Sequence, residues 1–294
     1  MIETKIEIDG HPIGANYPPY VIAELSANHN GDIDRAISIL KAAKSAGADA
    51  VKLQTYTADT LTIDHDGPDF QLKEGLWAGN NLYHLYESAH TPWEWHESLF
   101  DKGRELGITI FSTPFDRTAV DFLEQFDPPC YKIPSACLTD DNLLRYIRQT
   151  GRPLILSTGM STVEQIDHAV QVLGTQDLII LNCTSTYPAN SNELNLRVIP
   201  RFLDRYKVPI GYSGHEGLVY TTLAAVALGA CLVERHITLN RAMWGSDHAA
   251  SLEPQGVTKL INYIRATEVS LGDGEKRLYP SEVPVMNKLR KDRH

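Results

Sequence analysis

Long hydrophobic runs are missing from this 294-residue chain. Its apolar stretches are a few residues long, against the ~20 that cross a bilayer, and its start, MIETKIEIDG, has no apolar signal-peptide core. A membrane span and a secretory leader are therefore not expected, and a cytoplasmic location is. Cysteine is scarce as well. Cys130, Cys137, Cys183 and Cys231 lie in or just after apolar runs without CxxC spacing, which argues against a structural zinc cluster and for reduced core thiols. Positive charge is in deficit: 27 Lys and Arg oppose 37 Asp and Glu, a net charge of −10, which argues against nucleic acid or an anionic membrane as the main partner. An anionic substrate must then be met by a local cluster of cations. Low-complexity tracts are also lacking.

What is present is a core-forming composition, 43% hydrophobic, arranged as short Val/Ile/Leu-rich runs that alternate with amphipathic stretches of helical period. Strands are predicted at Tyr20 to Ala27, Ala50 to Tyr56, Thr109 to Phe115, Cys130 to Ala136, Pro153 to Gly159, Leu178 to Thr184, Pro209 to His215 and Cys231 to Leu239. Strands that alternate with helices form parallel sheets, and this number of βα units closes a barrel, so the fold class is α/β, a TIM (β/α)8 barrel. Helices are expected at Asp34 to Ala46, stopped by Gly47, and at Gln255 to Leu271. An N-terminal β-hairpin over Lys5 to Ile13, turning at Asp9-Gly10, precedes the barrel within about residues 1–19 and is expected to cover its floor. One domain, 1–280, then holds barrel and hairpin, and 281–294 is a tail. The insertion from Thr57 to Thr91, with Trp77, Tyr83 and Tyr86, follows the second barrel strand; a lid, a dimer contact and packing filler all fit it. A homodimer is expected from its aromatic content.

Carboxyl ends of parallel barrel strands converge on one mouth, where such folds keep their chemistry. His215 and His236 occupy matching places at the ends of the last two strands, and two imidazoles there can share one divalent ion. Without a thiolate beside them they suit an exchangeable, oxygen-rich Mn²⁺ sphere, with Mg²⁺ or Co²⁺ as alternatives; the plainer reading is that they bond to neighbouring strands. Glu234 and Arg235 alternate with His236, so at most one of them shares its face. Lys52 and Gln54 share a face of the second strand, and an inward Lys52 needs an anion, from a phosphate or from a carboxylate such as Glu24. Thr113, Lys132, Ser135, Ser157, Asn182 and Ser213 add hydrogen-bonding groups at other strand ends. Single residues of this kind commonly satisfy turns, but together with two lysines they can wrap a phosphate.

Several of these residues, among them Glu24, Lys52, Gln54, Ser157, Ser213 and His215, fall in segments that resemble the N-acetylneuraminate synthase family, with its legionaminic and pseudaminic acid synthase relatives. The segments are Ala23-Glu-Leu-Ser-Ala-Asn-His-Asn-Gly31, Val51-Lys-Leu-Gln-Thr55, Ser157-Thr-Gly-Met160, Cys183-Thr-Ser-Thr-Tyr-Pro188, Gly211-Tyr-Ser-Gly-His215 and Asp247-His-Ala-Ala-Ser-Leu-Glu-Pro254. The resemblance implies an enzyme that forms a carbon-carbon bond between phosphoenolpyruvate and an open-chain N-acyl hexosamine, such as N-acetylmannosamine or a diacetamido-trideoxyhexose. Products would be a nonulosonic acid and phosphate. It implies Lys52, Thr113, Lys132, Ser135, Ser157, Asn182 and Ser213 around phosphoenolpyruvate, His215 and His236 on the metal, and Glu24, Gln54, Tyr187 and Asp247 near the sugar. Glu24 or Asp247 is expected to move the proton. Two departures stand out. Many members read Lys-Ile-x-Ser-Gly-Glu where this chain has Lys132-Ile-Pro-Ser-Ala-Cys137, and the family's C-terminal antifreeze-like domain is expected to be absent, since the chain stops at His294. The rival expectations are condensation of phosphoenolpyruvate with a phosphorylated sugar aldehyde, and a barrel that has lost catalysis and serves as a sugar-binding or assembly subunit.

Overall fold

The computed structural model describes residues 5–73, 78–245 and 247–291. Two short strands, β1 (Ile6–Ile8) and β2 (His11–Ile13), pair antiparallel with Ile6 opposite Ile13. Asp9 and Gly10 turn between them at φ 50° and 76°, the left-handed pair that a two-residue hairpin requires and that Asp-Gly adopts with little strain. Parallel strands β3 (Tyr20–Glu24), β4 (Ala50–Thr55), β5 (Thr109–Pro114), β6 (Tyr131–Ile133), β7 (Leu154–Ser157), β8 (Leu178–Cys183), β9 (Ile210–Gly214) and β10 (Leu232–His236) follow, and β10 bonds back to β3 to close a barrel. The expected α/β barrel with its leading hairpin is thus the fold.

Helices cover the outside in chain order. They are α1 (Ile33–Ala46), then α2 (Ala58–Leu61), α3 (Leu82–Ala89) and α4 (His96–Leu106) between β4 and β5, then α5 (Arg117–Leu123), α6 (Asp141–Gln149), α7 (Val163–Leu173), α8 (Val198–Tyr206), α9 (Tyr220–Ala227) and α10 (Pro254–Leu271). A last short helix, α11 (Val283–Leu289), has no buried residue. Local sequence explains where these helices begin. Asp32, Asp116 and Asp140 each accept two backbone N–H groups of the first turn, and Thr162 with Gln165 forms a capping box. Among the described residues no helix is long and apolar enough to cross a membrane. Trp77, one of the aromatic residues of the insertion, lies outside the described residues.

Side chains alternate along each strand. The outward set, including Val51, Ile110, Leu156, Ile180 and Val233, packs under the helices. The inward set changes character along the strand direction. Near the amino ends it is apolar: Ile22, Phe111, Ile155, Ile179, Leu181 and Leu232 form one cluster, and Ile6, Ile8 and Ile13 of the hairpin complete it from below. Burying each such isoleucine contributes about 1.5–3 kcal/mol, so the hairpin is a stabilising plug as well as a seal. Gly211 belongs to this tier for want of space, since a Cβ there would lie 2.5 Å from the Leu232 carbonyl oxygen and from Leu181 Cδ2. One step further the same faces carry Glu24, Lys52, Thr113, Lys132, Ser157, Ser213 and Glu234, all buried.

The strands stop earlier at their carboxyl ends than the sequence predicts. Ala27, Ala136, Gly159 and Leu239 lie beyond them, because the chain turns sharply to aim polar groups at the mouth: Ser26 and Met160 sit at φ 51° and 58°, and Ser135–Cys137 is a helical turn.

Two buried histidines outside the mouth stabilise the fold only while neutral. His96 Nε2 lies 2.8 Å from Thr55 Oγ1 and Nδ1 lies 3.3 Å from the Pro92 carbonyl; His29 Nε2 lies 3.4 Å from Thr91 Oγ1. Burial pushes both down to about 4, His90 and Arg35 adding to the shift at His29. Their folded values lie below the unfolded value, so their stabilisation is complete above about pH 6.5 and is lost as pH falls towards 4, on the order of 3 kcal/mol for each. Denaturant unfolding should therefore show stability falling between pH 6.5 and 4, with a shallower slope in His96→Gln; an unchanged slope would refute this source of acid sensitivity.

Candidate active site

A cavity of about 380 Å³ opens at the carboxyl ends of the barrel strands. Its floor is a cluster of four charges. Lys52 Nζ lies 2.6 Å from Glu24 Oε2 and 3.7 Å from Glu234 Oε1, and Lys132 Nζ donates to the same Glu234 oxygen at 3.0 Å. Thr113 Oγ1 accepts from Lys52 at 3.1 Å, and Ser213 Oγ donates to Glu234 at 3.1 Å. Register produces these contacts, since Glu24 sits opposite Lys52 and Glu234 opposite Ser213 on neighbouring strands. The two carboxylates differ. Burial raises Glu234, but Lys132 and Lys52 outweigh it and hold the group at about 2. Glu24 is raised, because burial there outweighs Lys52. One carboxylate is thus a fixed counter-ion and the other can take up a proton.

The opposite wall holds two imidazoles with ring centroids 5.3 Å apart. His215 Nδ1 lies 3.0 Å from the Thr184 carbonyl, so that nitrogen donates and Nε2 keeps the lone pair. His236 Nδ1 is buried without a hydrogen-bond partner among the described residues, 3.9 Å from Asp247 Oδ2. Burial, helped by His215 and Lys52, pushes His236 down to about 3, so it is neutral and its lone pair is free. Tyr187 lies against both rings, at 4.1 Å from His215 and 5.6 Å from His236.

Asp247 is held at the rim by Ser26, whose hydroxyl donates to it, while Gln54 Nε2 donates to Glu24 at 2.9 Å and to Ser26 at 3.3 Å. On the side of β6 and β7, Ser135 Oγ accepts the Gly159 N–H at 3.0 Å, and Ser157 Oγ is buried without a partner among the described residues. Gly159 permits this approach, as a Cβ there would fall 2.1 Å from Ser185 Oγ.

Of the expected residues, Lys52, Gln54, Thr113, Lys132, Ser135, Ser157, Tyr187, Ser213, His215, His236 and Asp247 line one cavity. Glu24 does not; it lies fully buried behind Lys52. Asn182 does not either. Its place on β8, in step with the outward Leu178 and Ile180, turns it to the helix layer, where it donates to the Leu194 carbonyl at 3.2 Å. Cys137 turns its thiol to the Phe115 carbonyl, 3.8 Å away, while Ala136 lines the cavity. Sequence reasoning passed over Glu234, although its spacing of two from His236 puts both on one face. Ser26, Cys183 and Met160 were also missed, as were Leu85 and Ala89, which with Tyr86 of the insertion bring α3 to the cavity. Contacts of that last kind carry no local signal.

Residues 39–276 match the profile of the NeuB family. Pseudaminic acid synthase of Campylobacter jejuni is 42% identical over 259 residues, 87% of this chain and 76% of that one. N,N'-diacetyllegionaminic acid synthase of Legionella pneumophila is 35% identical over 288 residues, 95% of this chain and 81% of that one. In structure, the chain is similar to N-acetylneuraminic acid synthetase from Leptospira borgpetersenii, solved with citrate, at a TM-score of 0.86 and 29% identity over 98% of both chains.

Glu234→Gln would leave Lys52 and Lys132 with Glu24 as their remaining carboxylate, and breaking such a buried cluster costs about 3–5 kcal/mol. Inorganic phosphate should then raise the melting temperature of this variant more than that of the wild type, since the floor has surplus positive charge. An equal or smaller phosphate shift would show that the lysines are not the anion-binding groups.

Proposed function

This chain belongs to the NeuB family, and on that footing we propose that it condenses phosphoenolpyruvate with an open-chain N-acyl amino sugar of the diacetamido-trideoxyhexose class, forming a nonulosonic acid and inorganic phosphate. The observation that carries this reading is that one cavity holds both buried lysines on its floor and two neighbouring imidazoles on its wall. The sugar class follows the relatives named for pseudaminic and N,N'-diacetyllegionaminic acid.

Phosphoenolpyruvate brings a phosphate and a carboxylate. Lys52, Lys132, Thr113, Ser135, Ser157 and Ser213 offer it ammonium and hydroxyl donors, and Ser157 Oγ has no other partner among the described residues. At the wall, two neighbouring imidazoles can offer nitrogens to a divalent metal, His236 neutral with an unused nitrogen and His215 turned by Thr184 so that Nε2 is the acceptor; among the described residues no group of three His, Cys, Asp or Glu is placed to hold a metal, so the remaining positions would fall to water and substrate oxygens. His215 and His236 would hold it, Mn²⁺ before Mg²⁺ or Co²⁺, and it would supply Lewis-acid polarisation of the sugar aldehyde.

The enol carbon attacks the aldehyde carbon and forms the new carbon-carbon bond. Water adds its oxygen to C2, and the bond from C2 to the phosphate oxygen breaks. Of the two protons from that water, one ends on the former aldehyde oxygen and the other leaves with phosphate. Asp247 lines the cavity and is the carboxylate we assign to carrying a proton at the sugar, whereas Glu24, raised by burial, lies outside the cavity beside Lys52. Lys52 and Lys132 balance the charge of the departing phosphate. Exclusion of bulk water falls to Tyr187 and to the α3 side chains Leu85 and Tyr86 at the mouth.

Phosphate release in the presence of phosphoenolpyruvate, Mn²⁺ and either N-acetylmannosamine or a diacetamido-trideoxyhexose tests the reading, with faster release expected for the second sugar. Silence with every sugar would leave a binding protein in its place. His236→Ala should abolish metal-dependent turnover with the circular dichroism spectrum unchanged; near-normal activity in that variant would end the metal assignment.

A further inference from the structure

The ladder of β9 ends at Gly214, one residue before His215, so strand pairing does not fix that imidazole. What holds the connection to α9 is a buried ion pair whose halves flank the two histidines: Glu216 follows His215, and Arg235 precedes His236. Both are turned to the outer face of the barrel, away from the cavity, and both are almost wholly inaccessible.

The Arg235 guanidinium bonds to the β9–α9 connection and to the first turn of α9. Nη1 donates to Glu216 Oε1 at 2.8 Å, to the Leu218 carbonyl at 3.0 Å and to Thr222 Oγ1 at 2.8 Å, and Nη2 donates to the Glu216 carbonyl. Tyr212 and Thr221 hydroxyls donate to the Glu216 carboxylate from either side, Tyr212 at 2.9 Å. The carboxylate folds back over Gly214, where a Cβ would come within 2.7 Å of Glu216 Oε2, so the glycine makes room for the latch. On the cavity side the same segment is tied by the Ala189 N–H to the His215 carbonyl at 3.2 Å and by His215 Nδ1 to Thr184. His215 is thus gripped from both faces of the barrel, and the outer grip is anchored on the backbone neighbour of His236.

We propose that Arg235 and Glu216 are positioning residues that fix the spacing and orientation of His215 relative to His236, so that the two imidazoles meet one divalent cation. The inference rests on the metal reading above. Partners behind metal ligands set affinity through orientation, without touching the ion. Arginine suits the task, because a planar fork can reach a carboxylate, a hydroxyl and two carbonyls together, whereas lysine offers a single compact donor group.

The test is calorimetric titration of Mn²⁺ into metal-free protein, with melting temperature measured alongside, for wild type, Arg235→Lys, Tyr212→Phe and His236→Ala. Arg235→Lys keeps the charge opposite Glu216 and should weaken Mn²⁺ binding by about 10- to 100-fold with a small change in metal-free melting temperature. Tyr212→Phe removes one bond from the Glu216 carboxylate and should weaken it by a smaller factor, and it decides the matter if Arg235→Lys does not fold. Wild-type affinity in the folded latch variants, with binding lost in His236→Ala, would overturn the positioning role alone. Equal affinity in wild type and His236→Ala would overturn the metal reading and this inference together.

Discussion

Two ammonium groups inside a barrel must be neutralised, and the cavity is built around that requirement. Lys52 and Lys132 are 4% and 3% exposed, where an unpaired charge costs several kcal/mol after relaxation. Glu24 and Glu234 answer them across adjacent strands, so the formal charge of the cluster is zero. Its carboxylates have separate roles by position. Glu234 lies within reach of both lysines and stays ionised, while Glu24 is deeper and its burial favours the protonated form. An arriving anion would add negative charge to a balanced cluster, and Glu24 is the group able to take up a compensating proton.

The low dielectric that makes this cluster matter is supplied from below. The isoleucines of the hairpin close the barrel against Phe111, Ile155, Ile179 and Leu232, leaving the polar tier accessible from the mouth. Strand β10 then concentrates three tasks in consecutive residues. Glu234 faces inward to the lysines, Arg235 faces outward to latch the neighbouring connection, and His236 faces inward to the cavity wall. Alternation of a strand separates the inward pair from the latch, and register sets Glu234 beside Ser213 and Arg235 beside Gly214.

Much of this was legible in the order of residues, for physical reasons. Buried parallel strands need β-branched apolar runs, helices need their caps, and a hairpin of Asp9-Gly10 type needs left-handed φ, so the elements and their sequence announced the barrel. The convergence of strand ends then brought most of the expected site residues to one cavity. Glu234 was within reach of the same alternation that singled out His236. Asn182 was not, because a single register step decides whether a residue at a strand end looks into the barrel or out to the helices, and Asn182 looks out. Glu24 was recognised as a partner for Lys52, but its complete burial depends on the packing of neighbouring strands, where Lys52 and Gln54 of β4 close over it.

Local chemistry along the chain was enough to specify the closed α/β barrel, its hairpin, the polar strand ends and the pairing of two histidines, because each of these follows from periodicity and backbone preference. Packing in three dimensions settled the rest. The four-charge floor, the outward turn of Asn182, the reach of α3 over the mouth and the Arg235–Glu216 latch join residues as much as 210 positions apart in the case of Glu24 and Glu234, and distances of that kind are set by how strands close on one another rather than by any neighbour in the chain.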